Sequence, residues 1–149
     1  MPLVNMKMSL YLAGPISGLS YYEACNWRIQ VREALKDIYE VIDPMRGKSY
    51  LSEEQAIQEF YPHTITSGSK AVYTKDRYDV KRCDILLVNL SLMSNGNKSI
   101  GTLVEIGMAD AWGKFILIIG KPTHPFLTEN SVQVSSVEEA IEFLKIQAG

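Results

Sequence analysis

Carboxylates, hydroxyls and glycines gather in a few segments of this sequence, and one segment could support nucleophilic chemistry. Residues 99–105 (SIGTLVE) place a serine, a glycine and a threonine ahead of a glutamate. If a helix begins here, the amides of Gly101 and Thr102 point out of its positive end and can hold a phosphate. Glu105 would then lie in the first turn, where the helix dipole favours the ionised carboxylate that a nucleophile needs. The spacing Thr102-x-x-Glu105 is equally that of a capping box, in which the glutamate serves only the helix N-terminus.

A second group of carboxylates precedes the most apolar segment of the chain. Asp76 and Asp79 are one turn apart in a predicted helix, and Asp84 follows at the junction with a buried strand, where we expect a structural role. Tyr11 lies inside the first predicted strand and is either a core tyrosine with a satisfied hydroxyl or part of a site. These side chains are the candidates for acid–base chemistry.

Several familiar site motifs are missing from the sequence. There is no Gly-x-Gly-x-x-Gly after the first strand, no phosphate P-loop, no Gly-x-Ser-x-Gly and no His-Glu-x-x-His. Cys25 and Cys83 are far apart and lack metal-ligand spacing, and His63 and His124 lie in proline-containing loops. We therefore expect no metal, no cofactor and no disulfide, and a reduced, cytoplasmic protein.

Composition restricts the class of protein. The 149 residues are 46% hydrophobic and 21% charged, which predicts one folded domain over residues 1–149. The net charge of −2 lacks the basic excess of a nucleic-acid binder, and no segment reaches the length of a membrane span. A small-molecule ligand is the expected partner.

Apolar runs typical of buried strands alternate with helical periodicity along the chain. Strands are predicted at 8–13, 39–42, 85–90, 115–119 and 132–134, and helices at 21–38, 71–83, 102–112 and 137–146, with a short helix around 53–60. This alternation predicts an α/β fold with a doubly wound parallel sheet of about five strands between two helical layers. Ligands of such sheets bind beyond the carboxyl ends of the strands, at the loops 14–20, 43–47, 91–99 and 120–130.

Three segments together resemble the nucleoside 2-deoxyribosyltransferase family, in order and at matching separations over most of the chain. They are LYLAGPISG at 10–18, Asp76 eight residues before Asp84-Ile85-Leu86, and Ser99-x-Gly101-Thr102-x-x-Glu105-Ile106-Gly107-x-Ala109 followed by Gly113-Lys114. The resemblance implies a flavodoxin-like sheet. It also implies an enzyme that cleaves the N-glycosidic bond of 2′-deoxynucleosides or their 5′-monophosphates through a covalent glycosyl-enzyme intermediate.

The family pattern, applied to the matching positions, implies roles for individual residues. Glu105 would attack C1′, Asp76 would handle the base and its proton, and Tyr11 would hold Glu105 in position. Family members that exchange bases on free nucleosides carry an aspartate six residues before the nucleophile, where this chain has Ser99. A carboxylate repels a phosphate and a serine can donate to one, which favours 5′-monophosphates as substrates and water as the acceptor. The expected phosphate and sugar contacts are Gly14, Ser17, Gly18, Ser99 and Gly101, with Arg46 or Lys98 as candidates for added positive charge.

The same family completes its sites with residues from a neighbouring subunit. We therefore expect a homodimer or a higher homo-oligomer, with Asn130, His124 or Ser131 as the contributed residue. Two alternatives stay open from the sequence. One is a nucleotide-sensing module on the same fold that binds without turnover. The other is a phosphoribohydrolase of the cytokinin-activating type, although the double glycine of its Gly-Gly-x-Gly-Thr-x-x-Glu loop is missing here.

Overall fold

A five-stranded parallel sheet is the centre of this computed structural model, which describes residues 6–59, 61, 67–93 and 99–148. Its strands are β1 (Ser9–Ala13), β2 (Glu40–Ile42), β3 (Ile85–Asn89), β4 (Phe115–Ile119) and β5 (Val132–Val134). They lie in the order β2-β1-β3-β4-β5, and every neighbouring pair is parallel. This is the strand order of flavodoxin-like folds, and it confirms the predicted fold class.

Helices cover both faces of the sheet. They are α1 (Tyr21–Leu35), α2 (Ser69–Arg82), α3 (Ile100–Ala111), the single turn α4 (Pro125–Thr128) and α5 (Val137–Ala148). Helices α1 and α5 pack together on one face, and α2 and α3 pack together on the other. No helix of the described ranges is long and apolar enough to span a membrane.

The alternation of side chains along β1 decides which residues face the site. Leu10 and Leu12 join the core under α1 and α5, whereas Tyr11 and Ala13 join the core under α2 and α3. The chain leaves β1 toward β2 on one side and returns to β3 on the other, so a crevice opens where these two neighbours end. Tyr11 consequently projects toward the α3 side of that crevice.

The segment between β2 and α2 covers one side of the crevice. Its apolar residues pack on the start of α1 as a small separate cluster. The Gly18 amide donates to the Ile57 carbonyl at 2.7 Å, and the Ile57 amide donates to the Leu19 carbonyl at 2.7 Å. The prediction of a helix around 53–60 is wrong for residues 53–59, because this backbone bonds to the first loop; one turn of 3-10 helix lies earlier, at Ser49–Leu51.

Helix α3 begins two residues earlier than the sequence pattern indicated. Ser99 is its N-cap, and the Ser99 carbonyl accepts the Leu103 amide at 3.1 Å. Thr102 is therefore the third helical residue and not a cap, so the capping-box interpretation of Glu105 is wrong. Glu105 lies in the second turn, so its predicted place in the first turn is also wrong. Because Glu105 lies one turn further along α3 than predicted, its side chain faces the crevice and not the helix end.

Candidate active site

A cavity of about 350 Å³ lies where the carboxyl ends of β1 and β3 meet the start of α3. The first loop, the segment after β2, helix α2 and the first two turns of α3 each contribute to its wall. Among the sequence-predicted site residues, the wall includes Gly14, Ser17, Asp76, Ser99, Gly101 and Glu105. The fold thus brings together side chains that are up to 91 positions apart, from Gly14 to Glu105.

Glu105 and Tyr11 form the inner end of the cavity. The Tyr11 side chain is fully buried, and its hydroxyl donates a hydrogen bond to Glu105 Oε2. Burial raises the pKa of Glu105 to about 8, and the Tyr11 hydrogen bond partly offsets that rise. Burial also raises the pKa of Tyr11 well above its ordinary value, so the phenol keeps its proton and remains a donor. The Tyr11 hydroxyl therefore remains a hydrogen-bond donor to the Glu105 carboxyl.

Asp76 presents an unsatisfied carboxyl to the same cavity. Its Oδ1 atom is buried without a hydrogen-bond partner, and the Lys75 ammonium lies 3.9 Å from it. Burial raises the pKa of Asp76, and the Lys48 and Lys75 charges oppose that shift. An orphaned buried oxygen costs free energy, which is typical of a group that awaits a ligand.

Lys48 is a cavity residue that the sequence analysis did not single out. It lies directly after the predicted ligand loop 43–47, at the end of a turn in which its amide donates to the Met45 carbonyl at 3.1 Å. The side chain is 7% exposed and lines the cavity. Burial lowers the pKa of Lys48, and the Asp76 charge opposes that shift. The sequence signal that could have identified Lys48 is its position one residue after the predicted ligand loop 43–47, which follows β2.

The start of α3 forms the outer, anion-compatible end of the cavity. A Cβ on Gly101 would meet no atom within 4 Å, so the backbone here is open toward the cavity. The hydroxyls of Ser99 and Thr102 are 2.6 Å apart and share a hydrogen bond. The first amides of α3 have no carbonyl of their own helix to bind, and a phosphate can accept from them.

Gly14 has a steric role in the wall. A Cβ at this position would lie 3.1 Å from the Asn89 carbonyl oxygen and 3.2 Å from Trp27 Cζ2, so only glycine lets β1, β3 and α1 approach this closely. Beneath it, the fully buried Arg28 guanidinium donates to the carbonyls of Leu12 and Gly14, each at 3.1 Å. These bonds fix the end of β1 and the loop that follows.

Some predicted residues lie elsewhere. Gly18 has a φ of 84° and turns the first loop, but it is not part of the cavity wall. Arg46 points to the buried Asp79, at 2.7 Å, so its predicted role as a cavity cation is wrong. Asp84 accepts the Ser9 amide at 2.8 Å, as expected for a structural carboxylate. Lys98 lies outside the described residues.

Asn130 lines a different and larger groove. This groove, of about 1250 Å³, runs between α3 and the loop after β4 and includes His124, Phe126 and Asn130. Asn130 Oδ1 is buried without a hydrogen-bond partner, and Phe126 is 79% exposed. The His124 imidazole accepts the Phe126 amide at 3.2 Å and so caps α4. Within one chain, Asn130 therefore does not contribute to the cavity that holds Glu105.

The described part of the chain contains no group of three or more His, Cys, Asp or Glu side chains placed to hold a metal ion.

Two aromatic residues of the cavity wall, Tyr50 and Tyr61, were not predicted from the sequence. Their rings meet edge to face with centroids 6.1 Å apart. They lie in a polar segment without periodicity, where no sequence pattern marks them.

Comparison with known proteins agrees with this architecture. The family model described as nucleoside 2-deoxyribosyltransferase matches residues 10–141. No curated protein sequence is significantly similar to the chain.

Solved structures with this fold carry different names. A CMP N-glycosidase from Clostridium botulinum has 18% identity and a TM-score of 0.58, covering 93% of this chain and 98% of that one. A molybdenum cofactor binding protein from Rippkaea orientalis has 15% identity and a TM-score of 0.59, covering 98% and 100%. A 2-desoxiribosyltransferase from Leishmania mexicana has 21% identity and a TM-score of 0.54, covering 82% and 70%. At these identities the likeness shows a shared fold.

Proposed function

The chain belongs to the nucleoside 2-deoxyribosyltransferase family, and on that premise we propose that it cleaves the N-glycosidic bond of 2′-deoxynucleoside 5′-monophosphates. The family match supports a deoxyribosyltransferase or N-glycosidase activity in general. The observation that carries the specific proposal is the Glu105 carboxyl, held by the buried Tyr11 hydroxyl and open to a cavity that also contains Asp76. One positioned nucleophile and one acid are the groups that retaining glycoside cleavage requires.

In the first step of the proposed reaction, a Glu105 carboxylate oxygen forms a bond to C1′ as the bond from C1′ to the base nitrogen breaks. The electron pair of that bond passes to the base, and Asp76 supplies the proton with which the base leaves. Tyr11 keeps its proton and holds the attacking carboxylate. In the second step, water attacks C1′, Glu105 leaves as a carboxylate, and Asp76 takes up the water proton.

The preference for monophosphates rests on the outer end of the cavity. The open backbone at Gly101, the N-terminus of α3 and the hydroxyls of Ser17 and Ser99 offer hydrogen-bond donors to a phosphate there. In this proposal Gly14 shapes the wall beside the sugar, and Gly18 positions the loop without direct contact. The name of the Clostridium relative, a CMP N-glycosidase, is consistent with hydrolysis of a nucleotide.

The proposal includes a homo-oligomer with shared sites. Asn130 lies outside its own chain's cavity, its buried Oδ1 lacks a partner, and exposed Phe126 lies in the same apolar groove. A second copy seated on this groove would bury Phe126 and could carry Asn130 to the neighbouring cavity. Asn130 would then contribute an amide to the substrate from the partner subunit.

A chromatographic assay tests the proposed activity. The protein is incubated with each deoxynucleoside 5′-monophosphate, the matching nucleosides and the ribonucleotides, with and without added adenine or cytosine. We expect free base from the deoxynucleotides and no new nucleoside. Exchanged products from nucleosides would contradict the preference for phosphate and water, and release from ribonucleotides alone would favour a phosphoribohydrolase.

A binding module without turnover is the second candidate function. A protein of this fold that is named for cofactor binding favours it. It predicts that nucleotides raise the melting temperature of the protein while no base is released, and that Glu105→Gln changes neither result. Under the enzyme proposal, Glu105→Gln abolishes base release and retains nucleotide binding.

A further inference from the structure

Two groups of opposite charge, Lys48 and Asp76, line the cavity, and the described residues show no hydrogen bond between them. Lys48 is 7% exposed and lines the cavity, and no hydrogen bond or ion pair joins its ammonium to another described residue. Asp76 Oδ1 is buried without a hydrogen-bond partner. A buried ammonium and a buried carboxyl that do not satisfy each other are complementary to a ligand with both donor and acceptor atoms. The edge of a nucleobase next to its glycosidic nitrogen has this character.

The position of Lys48 distinguishes the base from the phosphate as its target. Lys48 follows β2, which lies on the opposite side of β1 from β3, the strand that leads to α3, so Lys48 and the start of α3 enter the cavity from opposite sides. The amides of α3 and Ser17 lie at the outer end. Among the described residues that line this cavity, Lys48 is the sole cation, beside the carboxyls of Glu59, Asp76 and Glu105. A single cation acts best where negative charge develops during the reaction.

We propose that Lys48 is a catalytic residue that stabilises the departing nucleobase by donating to the base atom beside the glycosidic nitrogen. This inference rests on the proposed function. As the C1′–N bond breaks, its electron pair enters the base ring, and negative charge appears on the ring acceptors before the Asp76 proton arrives. The Lys48 ammonium offsets that charge and keeps its own protons. The contact strengthens in the transition state, so its loss lowers kcat more than it raises KM.

The turn that presents Lys48 is built to hold it. Asp43 Oδ1 accepts the Met45 amide at 2.8 Å, and the Asp43 carbonyl accepts the Arg46 amide at 3.1 Å. Gly47 has a φ of 74°, a conformation that glycine adopts without strain, and it reverses the chain just before Lys48. The Lys48 carbonyl then starts the 3-10 turn by accepting the Leu51 amide at 3.0 Å. The side chain therefore enters the cavity from a fixed backbone.

The test compares substrates whose bases differ in leaving ability. Base release is measured for Lys48→Met with 2′-deoxyuridine 5′-monophosphate and its 5-fluoro analogue, and with dGMP and its 7-methyl analogue. In each pair of substrates that the wild type hydrolyses, we expect Lys48→Met to lower kcat by about 10²-fold on the parent nucleotide. The loss of kcat should be clearly smaller on the analogue, whose base leaves more easily. Lys81→Met, a change at an exposed lysine beside Trp112, should leave all the rates unchanged.

An equal loss of kcat on the parent nucleotide and its analogue would overturn the proposal. A rise in KM confined to the phosphorylated substrates would also overturn it, because it would assign Lys48 to the phosphate. Lys48→Gln keeps a donor without the charge, so its kcat should lie between those of Lys48→Met and the wild type. This second variant decides the matter if the methionine variant fails to fold. Absence of base release by the wild-type protein would instead refute the proposed function, and Lys48's role with it.

Discussion

At the scale of single residues, the proposed chemistry depends on one proton shared between two carboxyls. Burial raises the pKa of Glu105 to about 8, and it raises the pKa of Asp76 by an amount that Lys48 and Lys75 partly offset. Above the pKa of Asp76 and below about pH 8 the pair holds one proton, and the proposed chemistry needs that proton on Asp76 with Glu105 ionised. We therefore expect kcat/KM to be flat from the pKa of Asp76 up to about pH 8, to fall above pH 8 as that proton is lost, and to fall at low pH, where a second proton leaves no ionised nucleophile.

Asp76→Asn should invert this pH dependence. The asparagine has no proton to give, so kcat should fall by about 10²- to 10⁴-fold. The Asp76 charge raises the pKa of Glu105, so its removal lowers that pKa, and the remaining activity should rise with pH as Glu105 ionises. The measurement is kcat/KM against pH for the variant and the wild type. A variant whose rate still falls above pH 8 would show that Asp76 does not hold the proton that matters.

Tyr11→Phe tests the hydrogen bond to Glu105. That bond favours the ionised carboxylate, so its removal raises the pKa of Glu105 and should move the alkaline limb of the profile to higher pH. The fraction of ionised nucleophile falls at the same time, and we expect kcat to drop by about tenfold or more. Stopped assays across the pH range give both quantities. An unchanged limb with an unchanged kcat would make Tyr11 a core residue without influence on the site.

At the scale of elements, the start of α3 and the segment between β2 and α2 form opposite ends of one cavity. The helix offers backbone amides to an anion, and the segment offers a lysine and aromatic rings. A substitution of Gly101 tests the contribution of the α3 amides, because this residue is helical and its lack of a side chain leaves the cavity wall open.

Gly101→Ala should stabilise the protein and weaken phosphate binding. Alanine in a helix gains about 0.5–1 kcal/mol over glycine, so the free energy of unfolding should increase. The added methyl group would occupy open space at the start of α3, where we propose that the phosphate binds, so KM should rise more for a monophosphate than for its nucleoside. Urea unfolding and parallel kinetics measure the two effects. Equal changes in KM for the two substrates would place the phosphate elsewhere.

The elements also show how far the sequence could be interpreted. The strands β4 and β5 match the predicted bounds, because their apolar runs end at clear turns. The structural role of Asp84 follows from its place at the start of a strand. Gly14 was predicted as a substrate contact, and the close approach of β3 and α1 that requires a glycine there is visible only in the structure. The start of α3 was misplaced, because Ser99 and Thr102 are both good capping residues and only the Leu103 hydrogen bond decides between them. Residues 48–59 have no helical or strand periodicity, since they form one local 3-10 turn and then bond to the first loop through Ile57, and so Lys48 and Tyr50 escaped notice.

At the scale of the whole molecule, the described surface contains an apolar groove that one chain leaves open. Phe126 stands 79% exposed there and Asn130 lies beside it. Our proposal makes this groove the contact between subunits, so that each cavity takes Glu105 from one chain and Asn130 from the other.

Mixed oligomers test this arrangement. Glu105→Gln and Asn130→Ala should each be inactive or nearly so, but a heterodimer has one site in which both residues are native. Random reassembly of equal amounts should restore about a quarter of the wild-type activity. The assay is base release after the two variants are unfolded and refolded together, with separately refolded variants as the control. If the mixture is no more active than its components, the two residues do not act in one shared site.

In the proposed mechanism Glu105 becomes covalently glycosylated. The most direct measurement is mass spectrometry of the protein after incubation with a 2′-fluoro-arabino analogue of a substrate monophosphate, since the fluorine slows breakdown of a glycosyl intermediate by destabilising positive charge at C1′. We predict one added sugar phosphate per subunit, on the peptide that contains Glu105, and none on Glu105→Gln. Base release without any adduct, or an adduct on another residue, would contradict a covalent intermediate on Glu105.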